Sequence, residues 1–143
     1  MGGHSDVMCG VVLVRSAADA EALRRLRASS GMQVGELECR LLCLSVPSMH
    51  VRVRAACATA ARVAAFLATA PHVTRVLHAS RPDHPQHELA GTQMPGGYGT
   101  MLSIELDSAA TAHDLPARLH LFRNATSLGG FESLVEHRHH VII

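Results

Sequence analysis

Apolar and polar positions change period several times along this chain, and each change marks a predicted element. Val11 to Val14 is a valine-rich run fit for a buried strand, and Ser16 follows as a helix N-cap with Asp19 in the first turn. The helix it opens runs to about Arg27 with Leu23 and Leu26 on its inner face, until Ser29-Ser30-Gly31 breaks it. A second helix covers Gly35 to Leu44 and is interrupted near Pro47, because proline has no N–H to give and its ring clashes with the preceding turn. The longest helix runs from Met49 to Thr69. Val53, Cys57, Ala60, Val63, Ala64 and Leu67 recur there at three- and four-residue steps, which gathers them on one stripe, and Pro71 closes the element.

Beyond Pro71 the texture changes, which sets a soft boundary between residues 1–70 and 71–143. Val73 to Leu77 reads as a short strand, and Arg81-Pro82-Asp83-His84-Pro85 as an extended loop before a brief helix at Gln86 to Gln93. Pro95-Gly96-Gly97-Tyr98-Gly99 is a turn into Met101 to Leu106, where Leu102, Ile104 and Leu106 alternate with polar residues as in a half-buried strand. Thr111 to Arg118 is a weak helix carrying Pro116, Leu119 to Phe122 a further strand, and Val141-Ile142-Ile143 an exposed apolar tail. The alternation makes this an α/β chain without repeats.

Composition narrows the chemistry. At 143 residues and 48% hydrophobic there is material for one core, but aromatic residues are 3%, so that core is built from Ala, Leu, Val and Met. A net charge of +1 with scattered arginines gives no field to draw nucleic acid or an anionic membrane. The apolar run from Val7 to Val14 is too short to span a bilayer. Cys9, Cys39, Cys43 and Cys57 have no CxxC spacing and read as reduced thiols of a cytoplasmic protein. Met1-Gly2-Gly3-His4-Ser5-Asp6 approaches a myristoylation signal but has Asp6 where Ser or Thr is expected.

Several constellations invite chemistry and fall short. His84 and His87 with Glu88, or His137, His139 and His140 near Glu136, could be imagined around a metal, but no Cys or third ligand stands at a supporting spacing. Gly96-Gly97-Tyr98-Gly99 precedes a strand rather than a helix N-terminus, so it is a turn and not a phosphate cradle. A Ser-His-Asp triad can be drawn in many ways, and none of them is evidence.

Two runs carry more. Gly3-His4-Ser5-Asp6-Val7 near one end and Ser127-Leu128-Gly129-Gly130-Phe131-Glu132-Ser133-Leu134 near the other, in this order and at this separation, resemble the pyridoxal-phosphate (PLP) enzymes of cysteine and methionine metabolism, in particular cystathionine γ-lyases and γ-synthases. Glu38, Leu41, Leu42, Val51, Arg52 and Arg54, the stretch His84 to Ala90 and the stretch Gly97 to Ser103 also fall where that pattern puts such residues. The chain departs from it at Leu44-Ser45-Val46-Pro47-Ser48-Met49, in place of an Arg-Gly-Leu-Lys-Thr-Leu junction, and at His78-Ala79-Ser80-Arg81, in place of Tyr-Pro-Gly-Leu.

The resemblance implies a fold-type-I PLP-dependent transferase in part, with residues 1–70 as the end of the large cofactor domain plus a connecting helix and residues 71–143 as most of a small α+β domain. It implies PLP in the intact enzyme, an amino-acid substrate, and C–S bond cleavage or formation at the γ-carbon. It makes Ser127 a holder of the substrate carboxylate and Thr126 a neighbour of the γ-substituent. It also places the Schiff-base lysine just ahead of Met1, with the phosphate-binding and ring-stacking residues upstream and a substrate-clamping arginine beyond Ile143. All 13 basic side chains here are arginines. A guanidinium, protonated to above pH 12, forms no aldimine and moves no proton, so the chain is expected to be inactive alone and to hold no covalent cofactor. The alternatives are a non-catalytic assembly subunit that forms homo- or hetero-oligomers with full-length relatives, a truncated gene product, and a histidine-rich metal-binding protein.

Overall fold

The structure is a computed structural model and describes residues 1–138. Helix α1 spans Ala17–Ser30. Ser16 caps it by accepting the Asp19 N–H at 3.0 Å, and Gly31 ends it in the left-handed conformation. Helix α2, Glu36–Ser45, runs through a 3-10 turn at Val46–Ser48 into helix α3, Met49–Leu67. Pro47 therefore tightens the joint between two helices instead of ending the helical path, since the first turn of a helix has no use for its missing N–H.

Strand β1, Val73–Leu77, pairs antiparallel with strand β2, Ser103–Leu106, in the register Val76 to Ile104 and Leu77 to Ser103, with an irregularity between Val73 and Arg75. Helix α4, His87–Gln93, lies between them in sequence, and helix α5, Ala109–Arg118, follows β2 behind the N-cap Ser108. Pro116 sits inside α5. A second ladder is short and parallel: β3, Arg123–Asn124, against β4, Leu134–Val135.

The core lies where α3 faces β1, and one residue of α4 is buried with it. Its buried apolar residues are Cys57, Ala60 and Ala64 of α3, Val76 of β1 and Ala90 of α4. Three of the five are alanines, so the backbones approach closely while each side chain removes little apolar area from water. This is the small-residue core that the low aromatic content foretold.

The observed elements correct the pattern in three places. Val11–Val14 forms no strand, and its side chains stand 40% to 91% exposed. A strand needs a neighbour to take its N–H and C=O groups, and no described strand lies beside this run. Helix α1 buries none of its residues, so Leu23 and Leu26 do not face a core, and Val53 of the α3 stripe is also exposed. Leu119–Phe122 is not a strand; Leu121 is exposed, and pairing starts at Arg123, whose N–H reaches the Ser133 carbonyl at 2.9 Å. His139, His140 and the apolar tail Val141–Ile143 lie outside the described residues. Among the described residues no helix is long and apolar enough to cross a membrane.

Candidate functional site

The loop that carries Thr126 and Ser127 is closed at its base by the β3–β4 ladder, by an Ala125 N–H to Val135 carbonyl bond of 3.2 Å, and by an Arg123–Glu132 ion pair of 2.9 Å. Both residues are exposed at its rim. Ser127 has a φ of 119°, a region costly for any residue with a Cβ, and Gly129 follows at 76°. Such strain persists only where the surroundings impose it. No described side chain or backbone group bonds the Ser127 hydroxyl.

The loop meets the far end of the sequence. A Cβ on Gly130 would come within 2.8 Å of the Ser5 Oγ, so the Gly3-His4-Ser5-Asp6 turn lies directly against the Ser127–Gly130 turn. The N-terminal turn is irregular, with φ of 82° at Gly3 and 58° at Ser5, and Gly2 within it is buried. What seats it is the joint between α2 and α3. The Arg52 guanidinium bonds the Ser45 carbonyl at 2.8 Å, the Ser48 hydroxyl at 3.1 Å and the Met1 carbonyl at 3.4 Å, while the buried Ser45 hydroxyl stands 3.3 Å from His4 Nδ1. Gly3 lies so close to the guanidinium that any side chain there would collide with it.

A second cluster joins the crossover after β1 to the glycine turn before β2. His78 is 2% exposed; its Nδ1 accepts from the Ser80 N–H at 3.3 Å and lies 2.7 Å from the Ser80 hydroxyl, which leaves Nε2 to donate to the Gly99 carbonyl at 3.4 Å. His87 donates from Nδ1 to the Ala79 carbonyl at 2.8 Å and stacks on Tyr98 with ring centroids 5.4 Å apart. His84 Nδ1 accepts from the Gln86 N–H at 3.2 Å. These histidines fasten backbone to backbone, and among the described residues no three His, Cys, Asp or Glu groups come together to hold a metal.

The sequence marked the two motif turns but not the parts that tie them together. Ser48 and Arg52, four residues apart, form a pair that helical spacing makes legible. Nothing in the pattern marked Ser45 as the point where that pair reaches His4. His78 stood out only as part of the His78-Ala79-Ser80-Arg81 departure from the family pattern.

The chain matches the family model for Cys/Met metabolism PLP-dependent enzymes over residues 1–142. It belongs to that family. It is 40% identical to the cystathionine gamma-lyase of Mus musculus over 137 residues, covering 95% of this chain and 34% of that protein. It is 36% identical to the cystathionine gamma-synthase of Mycobacterium tuberculosis over 138 residues, 96% of this chain and 35% of that one. Among solved structures it resembles the cystathionine gamma-lyase of Lactobacillus plantarum complexed with L-serine, with a TM-score of 0.88, 32% identity and coverage of 94% and 35%. The chain thus spans about a third of the length of the curated relatives it matches, and its mixed α/β architecture is a fragment of the PLP-dependent fold. The family's cofactor does not fit these residues as a covalent guest: no lysine ε-amino group is present in the 143-residue sequence.

Proposed function

We propose that this chain forms the substrate-side portion of a transsulfuration enzyme that cleaves or forms a C–S bond at the γ-carbon of an amino acid, in the cytoplasm, with the Schiff-base lysine supplied from outside these residues. Residues 1–70 then belong to the cofactor domain and residues 71–143 to the small domain. Ser127 receives the substrate carboxylate, and Thr126 lines the space beside the γ-substituent. The observation that carries this reading is the contact between Ser5 and Gly130, which brings the two motif turns to one place and leaves the Ser127 hydroxyl open.

The chain alone has no catalytic amine. Incubation with PLP and then borohydride labels only the α-amino group of Met1 and gives no lyase turnover; a stoichiometric internal label with turnover overturns the proposal.

A second reading, as an assembly subunit, is favoured by the unburied α1 and by exposed Val11, Val12, Leu13 and Leu37. On that reading the chain co-purifies with a full-length relative and, the contact being apolar, survives moderate salt. Ala60 and Ala64 are core residues of the chain itself, so the surface is charged instead: the Val12→Glu/Leu13→Glu double variant, altered only at exposed positions, loses the partner. Absence of binding at micromolar concentration, or undiminished binding by the double variant, removes this reading.

A further inference from the structure

We propose that Arg52 is a positioning residue: from the middle of the chain its guanidinium holds the Met1–Asp6 turn in place, and through that turn it sets the conformation of the Ser127–Gly130 turn. The consequence for substrate rests on the reading of Ser127 given above, whereas the coupling between the turns is a property of this chain with or without a ligand.

Four observations form a continuous path. The planar fork of Arg52 takes three oxygens at once, from Ser45, Ser48 and Met1, a division of donors that the compact ammonium of a lysine cannot reproduce. The turn it grips is fitted to it, since Gly3 at a φ of 82° leaves no room for a Cβ beside the guanidinium. Ser45, 4% exposed, adds its hydroxyl against His4. At the other end of the same turn Ser5, itself at a φ of 58°, lies against Gly130.

Beyond that contact the strained Ser127 has little to hold it. The β3–β4 ladder is two residues long on each side and closes only the base of the loop, and Leu128 at its tip is 71% exposed. A φ of 119° at a serine needs a restraint, and Ser5 stands at the glycine that ends the turn. Ser45 and Ser48, which supply two of the guanidinium's three acceptors, both fall in the Leu44–Met49 segment where this chain departs from the family pattern.

The test uses the complete 143-residue chain, with amide NMR shifts and backbone order parameters as readouts for the two turns and hydrogen exchange in Val73–Leu77 as the control. Arg52→Ala lowers the order parameters of both Gly3–Asp6 and Ser127–Gly130 to below about 0.6, the range of flexible backbone, and shifts the Gly130 amide. Exchange in Val73–Leu77 stays as in the parent. Guanidinium ion at a non-denaturing concentration reverses both changes, and ammonium at equal ionic strength does not. Ser5→Gly loosens Ser127–Gly130 alone. If Arg52→Ala also deprotects Val73–Leu77, Arg52→Lys replaces it; that variant keeps the charge and the stem but lacks the planar fork, and loosens both turns together. Loosening of the first turn with the second unchanged, or no reversal by guanidinium, overturns the proposal. Amino-acid binding that proves indifferent to Ser127 overturns only the substrate reading, because the order-parameter result does not pass through a ligand.

Discussion

Ala64 is the only fully buried alanine of α3, and its neighbour Ala65 is exposed on the same helix, so one methyl group removed from each separates burial from helix propensity. Ala65→Gly costs only the greater backbone freedom of glycine, about 1 kcal/mol in a helix interior. Ala64→Gly carries the same cost plus the lost burial of a methyl against β1, about 0.8 kcal/mol more. The sum is about 2 kcal/mol for Ala64 against 1 for Ala65. Hydrogen exchange in Val73–Leu77, the strand that α3 covers, reads the difference as a change in opening equilibrium: roughly 20-fold faster for Ala64→Gly and roughly 5-fold for Ala65→Gly. Equal acceleration by the two variants, or a larger effect from Ala65, refutes the assignment of the inner face and with it the placement of the core.

Three further outcomes follow from the same geometry. Ala64→Glu places an unpaired carboxylate in the core at a cost of several kcal/mol and abolishes protection in β1, whereas Ala65→Glu stays within about 0.5 kcal/mol, as circular dichroism and exchange will show. His72 Nδ1, 2.6 Å from Asp107, holds that carboxyl below the usual carboxylate range by hydrogen bonding. The resulting stabilisation is present above the ordinary carboxylate value and is lost as pH falls through the lowered one; Asp107→Asn removes this acid limb from the stability profile, and because both groups are exposed the change is small. Ser127→Gly relieves a positive-φ conformation and stabilises its loop by about 1 kcal/mol, read as slower exchange at the bonded Arg123 and Ala125 amides that close its base, while Ser127→Ala does not.

The elements legible in the sequence are those whose cause is local. Ser16 and Gly31 bracket α1, proline and the three-and-four-residue stripe delimit α3, and alternation at Leu102, Ile104 and Leu106 marks β2, so these were readable within two or three residues of their observed ends. Val11–Val14 and Leu119–Phe122 were misread because apolar runs alone do not make strands; the ladder partner decides, and it lies elsewhere or begins later. The family was legible because two motifs with unusual backbone demands, at Gly3–Asp6 and Ser127–Gly130, survive as sequence. Their meeting through Ser5 and Gly130, and the part of Arg52 in seating one of them, depends on contacts across the whole chain and has no local signature.

Gly97 approaches α3 so closely that an added Cβ would lie 2.6 Å from the Cys57 Cβ, and the 96–99 turn closes over that cysteine. Of the other thiols, Cys39 and Cys43 are exposed and Cys9 is half-exposed. The molecule therefore contains its own clock. A thiol reagent modifies Cys39 and Cys43 at the rate of a free helix surface, whereas Cys57 waits for the glycine turn to lift. The lag between the fast and slow modifications measures how often the crossover region opens, without any substitution having been introduced.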